Sequence, residues 1–201
     1  FLWNILDKAP GSIEKDQLRL PSSQLWGYQV LEYMQGGKAY QVIPQKEVSD
    51  PATYTSLVSV FSKKAYVLIS AFNPDRGAND KNSITLKIPK KDLKLKIKHI
   101  KIASITRENN MYDQLLIDTK KEGILNPKLK DQPFVIPNLK EFSNNRVKFN
   151  KMVKNNWDGY KSLWKDALTL KEFKGSIRED KDNYFISLEM EVPQSSVLLL
   201  E

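Results

Sequence analysis

The chain has 201 residues, a formal net charge of +8 and no cysteine, which excludes disulfides, thiol catalysis and thiolate metal sites. A hydrophobic content of 40% is enough for one packed domain, or for one domain and part of another. No run approaches the ~20 apolar residues of a membrane span, and the basic residues are scattered among 24 acids rather than gathered into a nucleic-acid-binding tract.

Phe1 to Asp7 (FLWNILD) is a short apolar run ending in polar residues, the pattern of a buried parallel strand with its functional end at Asn4 and Asp7. It has no starting methionine, and its first residues do not read as a secretory leader. The expectation is a chain cut from something longer, or one that begins where processing left it. Ala9 to Pro21 reads as a loop. Ser22 and Ser23 offer an N-cap, Leu25, Trp26, Val30, Leu31 and Tyr33 follow at helical spacing, and Gly36-Gly37 closes the helix. The first ~37 residues therefore read as one strand–loop–helix unit.

Strands follow. Ala39 to Ile43 is short, and the runs Tyr54 to Phe61 and Ala65 to Phe72 flank Ser62-Lys63-Lys64 as a hairpin. Asn73 to Asn82 reads as a polar turn region, and Ser83 to Ile88 as a strand. Leu93 to Ile105 reads as one long strand. In it Lys94, Lys96 and Lys98 alternate with Leu95 and Ile97, which puts the lysines on the wet face. Its apolar parity shifts after Ile97, which predicts a β-bulge at His99-Ile100.

Asn109-Asn110 caps a helix predicted from Met111 to Glu122, with Gly123 as its stop. Asn126 to Asn156 is rich in Pro, Asn and Lys, with helical character near Glu141 to Val153. Leu168 to Phe173, Tyr184 to Val192 and Ser196 to Leu200 read as strands, the last two parted at Pro193-Gln194. Strands at this spacing with polar turns between them predict a sandwich.

Catalytic signatures are sparse. The chain has no glycine-rich phosphate loop, no GxSxG and no HExxH, and His99 is its one histidine, so a multi-histidine metal site is excluded. His99 reads as a partly exposed strand residue. Asp113 and Asp118, five apart on the predicted helix, do not share a face. Asp75 and Asp80 read as turn caps, without EF-hand spacing. No cofactor and no metal are expected.

Four tryptophans bear on sugar binding, because sugars stack their C–H faces on rings. Trp26 reads as core, and Trp157 and Trp164, with Tyr160 between them, as a helical stripe that packs on the sandwich. Trp3 stands near the polar end of its strand, where core filler and sugar platform are both open readings.

Two segments carry a resemblance: FLWNILD followed by SSQLWGYQVLEYMQGGKAYQV, and the closing MEVPQSSVLLLE. The first resembles the final strand and helix of the catalytic barrel in retaining (β/α)₈-clan glycoside hydrolases, and the second the end of their appended β-sandwich. LISAFNPD and ITRENNMYDQLLIDTKKEGIL are similar to segments of such domains, the latter to family 39 enzymes (β-xylosidases and α-L-iduronidases). The Lys-rich stretch between Asn126 and Lys154 departs from that pattern.

The resemblance implies a mainly β fold: one βα unit of a TIM barrel over 1–37, then a β-sandwich over 38–201 with one or two short helices inserted. It implies a hydrolase, a glycosidase cleaving O-glycosidic bonds by a retaining two-glutamate mechanism, with both glutamates outside this chain. This chain alone would not be catalytic. Trp3, Asn4 and Asp7 would bind substrate at the barrel rim, and Asn109, Asn110 and Tyr112 would lie on a loop near the site. The partners implied are the remaining barrel and a carbohydrate, with no nucleic acid and no membrane, in an extracellular or periplasmic setting or a lysosome-like compartment. The alternative from a different class is a non-catalytic carbohydrate-binding or adhesion sandwich.

Overall fold

The computed structural model describes residues 6–8, 19–21, 23–42, 52–72, 80–124 and 145–201. The chain is mainly β, with two antiparallel sheets of six and three strands. It divides into two compact units: Phe1–Tyr28 with Arg107–Ala167, and Gln29–Thr106 with Leu168–Glu201. The sandwich is thus interrupted, because 107–167 groups with the first residues rather than with the 38–201 span expected of it.

In the first unit, β1 (Leu6–Lys8) pairs antiparallel with β2 (Arg19–Pro21), with Asp7 opposite Leu20. The parallel pairing expected at the end of 1–7 is not what these residues adopt. The connection explains this: ten residues return a chain antiparallel, whereas a parallel crossover needs a dozen or more. α1 (Ser23–Met34) follows, counted with the second unit from Gln29 on, and ends, as expected, at Gly36, whose φ of +85° suits glycine. Gly37 beyond it lies so close to the Ser59 side chain and the Phe61 ring that a Cβ would not fit.

The six-stranded sheet contains β3 (Lys38–Val42), β4 (Thr53–Val60) and β5 (Ala65–Phe72). The β4–β5 hairpin forms as read, closing at Val60 opposite Ala65. β6 (Asp80–Pro89) belongs to the three-stranded sheet. The long strand expected over Leu93–Ile105 is shorter. A helical turn, α2 (Lys90–Leu93), ends in Lys94 at φ 53°, and only β7 (Ile100–Ile105) is strand. Lys94, Lys96 and Lys98 are nevertheless exposed, and Leu95 and Ile97 pack on the core. The parity shift thus marks the start of β7, not a bulge.

The helical part of the first unit contains α3 (Met111–Lys121), α4 (Arg146–Asn155) and α5 (Trp157–Leu168). Gly123, at φ +64°, stops α3 as predicted. Met111, Ile124, Phe149, Met152, Val153 and Tyr160 form its core, with Trp157 packed against them. Trp26 is buried, and its indole N–H donates to the Ala167 carbonyl at 2.8 Å.

The second unit closes with β8 (Lys171–Glu172), β9 (Ser176–Glu179), β10 (Asn183–Val192) and β11 (Gln194–Leu200). The strand orders are β3-β4-β5-β11-β7-β8 and β6-β10-β9. β10 and β11 are consecutive, yet they stand in different sheets, so the chain changes layer at Pro193. Val67 and Ile69 of β5, Leu198 and Leu200 of β11, and Ile186, Leu188 and Met190 of β10 meet in one core between the sheets. Each such side chain contributes roughly 1.5–3 kcal/mol by burial. The exposed Lys81–Glu191 pair at 3.8 Å contributes at most ~1 kcal/mol. The apolar layer, not surface charge, holds the sandwich.

Candidate functional site

The residues expected at a barrel rim are only partly visible. Trp3 and Asn4 lie outside the described residues, and Asp7 lies in β1. The expected strand end and the loop of Asn109, Asn110 and Tyr112 belong to the same unit. Asn109 donates from Nδ2 to Oδ2 of Asp166 at 3.3 Å, tying the start of α3 to α5. The Asn110 carbonyl accepts from the Gln114 N–H at 3.2 Å, the first hydrogen bond of α3, and Tyr112 stands in the first turn.

α3 carries the densest polar arrangement of this unit. The Asp118 carboxylate accepts from Tyr160 Oη at 2.6 Å, from Asn156 Nδ2 at 3.2 Å and from Gln114 Nε2 at 2.9 Å. An ionised carboxylate only accepts hydrogen bonds, and here both of its oxygens have donors. Burial, together with the bond to Asp118, raises the Tyr160 hydroxyl well above its ordinary range. The phenol therefore stays protonated and donates. This set fastens α3 to the start of α5, and its oxygens are occupied rather than aimed at open space.

Asp113, five residues earlier, does not take part. Burial pushes its carboxyl up, and the nearby Arg107 offsets part of the rise. The two acids diverge, as their spacing requires. Among the described residues no three His, Cys, Asp or Glu side chains are grouped to hold a metal ion.

A different set of side chains gathers on the outer face of the three-stranded sheet. Tyr184, Ile186, Leu188 and Met190 point inward, so Phe185, Ser187, Glu189 and Glu191 point out. Register places Phe185 between Lys87 of β6 and Arg178 of β9. The guanidinium carbon of Arg178 lies 4.4 Å from the ring centroid, and Lys87 Nζ lies 6.0 Å from it. The adjoining row is Thr85, Ser187 and Ser176, in which the Thr85 and Ser187 hydroxyls are 2.9 Å apart. The sequence reading missed this face. Its signal was Phe185, an aromatic residue at the outward parity of a strand whose other outward residues are Asn, Ser and Glu.

A second aromatic group is structural. Tyr33 stacks on the buried Tyr66 at 6.0 Å, Phe61 meets Tyr66 edge-on at 6.1 Å, and Lys64 caps both Phe61 and Tyr66. The Ser59 hydroxyl donates to the Met34 carbonyl at 2.7 Å and fixes the end of α1 on β4. Trp157 and Tyr160 pack with the other helices of the first unit, where a stripe packed on the sandwich was expected. His99 is exposed just before β7, where its backbone pairs with Glu201.

No helix among the described residues is long and apolar enough to cross a membrane. Comparison with family models, with curated proteins and with solved structures finds no match.

Proposed function

We propose that this chain is the C-terminal, non-catalytic portion of a retaining glycoside hydrolase of the (β/α)₈ clan, family 39-like, whose two catalytic glutamates lie outside it. The observation that carries this reading is the closing segment MEVPQSSVLLLE. It runs down β10, changes layer at Pro193 and ends in β11 at the interior of the larger sheet. A two-sheet antiparallel sandwich is the architecture that the resemblance implied for this part of the chain.

In this reading the run Phe1 to Asp7 is the last barrel strand, although its described residues Leu6 and Asp7 pair antiparallel with β2. The polar end of that run would then face the rim of the barrel. Barrel enzymes build their sites at that rim, so Trp3, Asn4 and Asp7 remain the proposed substrate contacts. Asn109, Asn110 and Tyr112 are the proposed neighbouring loop. The protein is then an exported enzyme, working outside the cytoplasm on a carbohydrate.

The test is to express this chain alone and together with the coding sequence upstream of Phe1, and to assay both on aryl glycosides. The longer protein should release the aryl group and lose that activity on Glu→Gln change at either upstream strand-end glutamate. The shorter one should be inert. An upstream sequence that encodes no barrel overturns the proposal.

A second reading, a carbohydrate-binding or adhesion sandwich without chemistry of its own, is favoured by the outward row of Lys87, Phe185 and Arg178 with the neighbouring hydroxyls of Thr85 and Ser187. Glycan binding by this chain without any upstream barrel distinguishes it.

A further inference from the structure

We propose that the outer face of the β6-β10-β9 sheet binds an acidic glycan through Arg178 and Lys87, with Phe185 holding Arg178 in position. This rests on the carbohydrate reading above, which both of its forms share, but it concerns a face remote in sequence from the rim residues.

The three residues form one row across the strands, because Phe185 is the register partner of Lys87 on one side and of Arg178 on the other. Strands stand ~4.8 Å apart, so the two cations are based roughly 10 Å from one another. That is about one Debye length at ordinary salt, and both side chains are exposed. Neither forms an ion pair with a described residue, although Asp180 acts on Lys87 at longer range. The local positive charge is therefore only partly neutralised, and an oxyanion placed between them is attracted by both.

Arg178 is the group that selects a carboxylate or sulfate, since its planar fork matches such oxygens two at a time. Its stacking on Phe185 holds the guanidinium in place before any ligand arrives. Thr85, Ser187 and Ser176 in the next row supply hydroxyls of the kind that pair with sugar hydroxyls.

A long polyphosphate fits this face poorly. Further along β10 stand Glu189 and Glu191, the latter against Lys81 at 3.8 Å, and they repel an anionic strand laid along the sheet. Phe185 also has cations over its ring, so it offers no open platform for a nucleobase. A ligand that crosses the strands along the Lys87–Phe185–Arg178 row, with charge on alternating sugars, avoids the glutamates.

The experiment is affinity electrophoresis of the intact chain through gels containing polygalacturonate, chondroitin sulfate or neutral xylan, with single-stranded DNA as the polyanion control. At least one acidic glycan should retard the protein and xylan should not. Which acidic glycan does so distinguishes a uronate from a sulfate ester as the group bound. K87A/R178A should weaken retardation about tenfold or more, the scale of removing one charge-assisted hydrogen bond. K63Q/K94Q/K98Q, which removes more charge from exposed lysines outside this row, should weaken it less than about threefold. Each variant is checked by circular dichroism. Should the double variant lose its fold, R178Q alone gives the readout.

Equal losses in the two charge-removal variants overturn the proposal, as does DNA retardation equal to that by glycan, or no retardation by either acidic glycan. None of these outcomes bears on the upstream barrel, whose test is hydrolysis by the longer protein.

Discussion

Asp118 and Asp113 sit on one helix and contribute to stability with opposite signs. Asp118 accepts from Tyr160, Asn156 and Gln114, and hydrogen bonds to a charged group are worth roughly 1.5–3 kcal/mol where they are shielded. D118N replaces one acceptor oxygen by an amide N–H donor that faces other donors, so it should lower unfolding free energy in urea by about 2 kcal/mol, and Y160F by about 1 kcal/mol. A D118N loss within about 0.5 kcal/mol, the range of ordinary surface changes, sinks the assignment. The Tyr160 hydroxyl also predicts a pH effect. Its folded value is raised above the ordinary 10.0, by burial first and by Asp118 second. Above that ordinary value the unfolded chain releases the proton and the folded chain keeps it. Stability from this group is thus intact below pH 10 and falls as pH rises beyond it. The wild type should lose stability faster than Y160F on the alkaline side, and parallel alkaline limbs would refute this. Asp113 behaves differently, because burial raises its carboxyl and favours the neutral form. The folded state is penalised at neutral pH, and the penalty fades as pH falls through the raised value. D113N should therefore raise the urea midpoint at neutral pH and leave it unchanged in strong acid.

At the scale of elements, β11 has the most to lose. It stands between β5 and β7, and Val197, Leu198 and Leu200 are fully buried. Leu198→Ala should cost about 2–5 kcal/mol, the range for a large-to-small change in a close-packed core. A cost below about 1 kcal/mol in chemical denaturation would mean that β11 is not interior to the sheet in solution. Which elements were legible in the sequence follows from the same physics. β10 and β11 were readable because one alternates strictly and the other is an unbroken aliphatic run, patterns set by burial on one face and on two. The β4–β5 hairpin and α3 were readable from their turn residues and their capping glycine. β9 was not, since Ser176–Glu179 is exposed at every residue and carries no apolar periodicity. The helical turn of α2 was hidden inside an alternation that an extended non-strand segment also satisfies. The partner of Leu6–Lys8 depends on pairing across a loop, which local pattern does not encode. The proposed rim residues Trp3, Asn4 and Asp7 rest on resemblance alone, and Trp3 and Asn4 lie outside the described residues. The Phe185 row emerges only when three separate strands are put in register, and no local spacing brings Lys87, Arg178 and Phe185 together.

For the whole molecule, the division into two units has a thermodynamic consequence. The sandwich core draws on both sheets, from Ala52 in the approach to β4 through Leu200 in β11, and is dominated by aliphatic residues in strands far apart in sequence. The helical unit rests, among the described residues, on Met111, Ile124, Phe149, Met152, Val153 and Tyr160, with three partly buried neighbours. At roughly 1.5–3 kcal/mol for each large buried side chain, the smaller set offsets much less chain entropy. Separate cores of unequal size open at different free energies. Hydrogen exchange in increasing urea should show the amides of α3, α4 and α5 losing protection first, while β5, β10 and β11 keep theirs to the global limit. Phe149→Ala removes the largest apolar side chain of the smaller core and should bring the helical opening down by about 3–5 kcal/mol. The exchange of β5, β10 and β11 should stay unchanged. If instead every amide in both units exchanges through one transition that Phe149→Ala lowers uniformly, the cores are one cooperative body. The stability of the sandwich then depends on the helices inserted between β7 and β8.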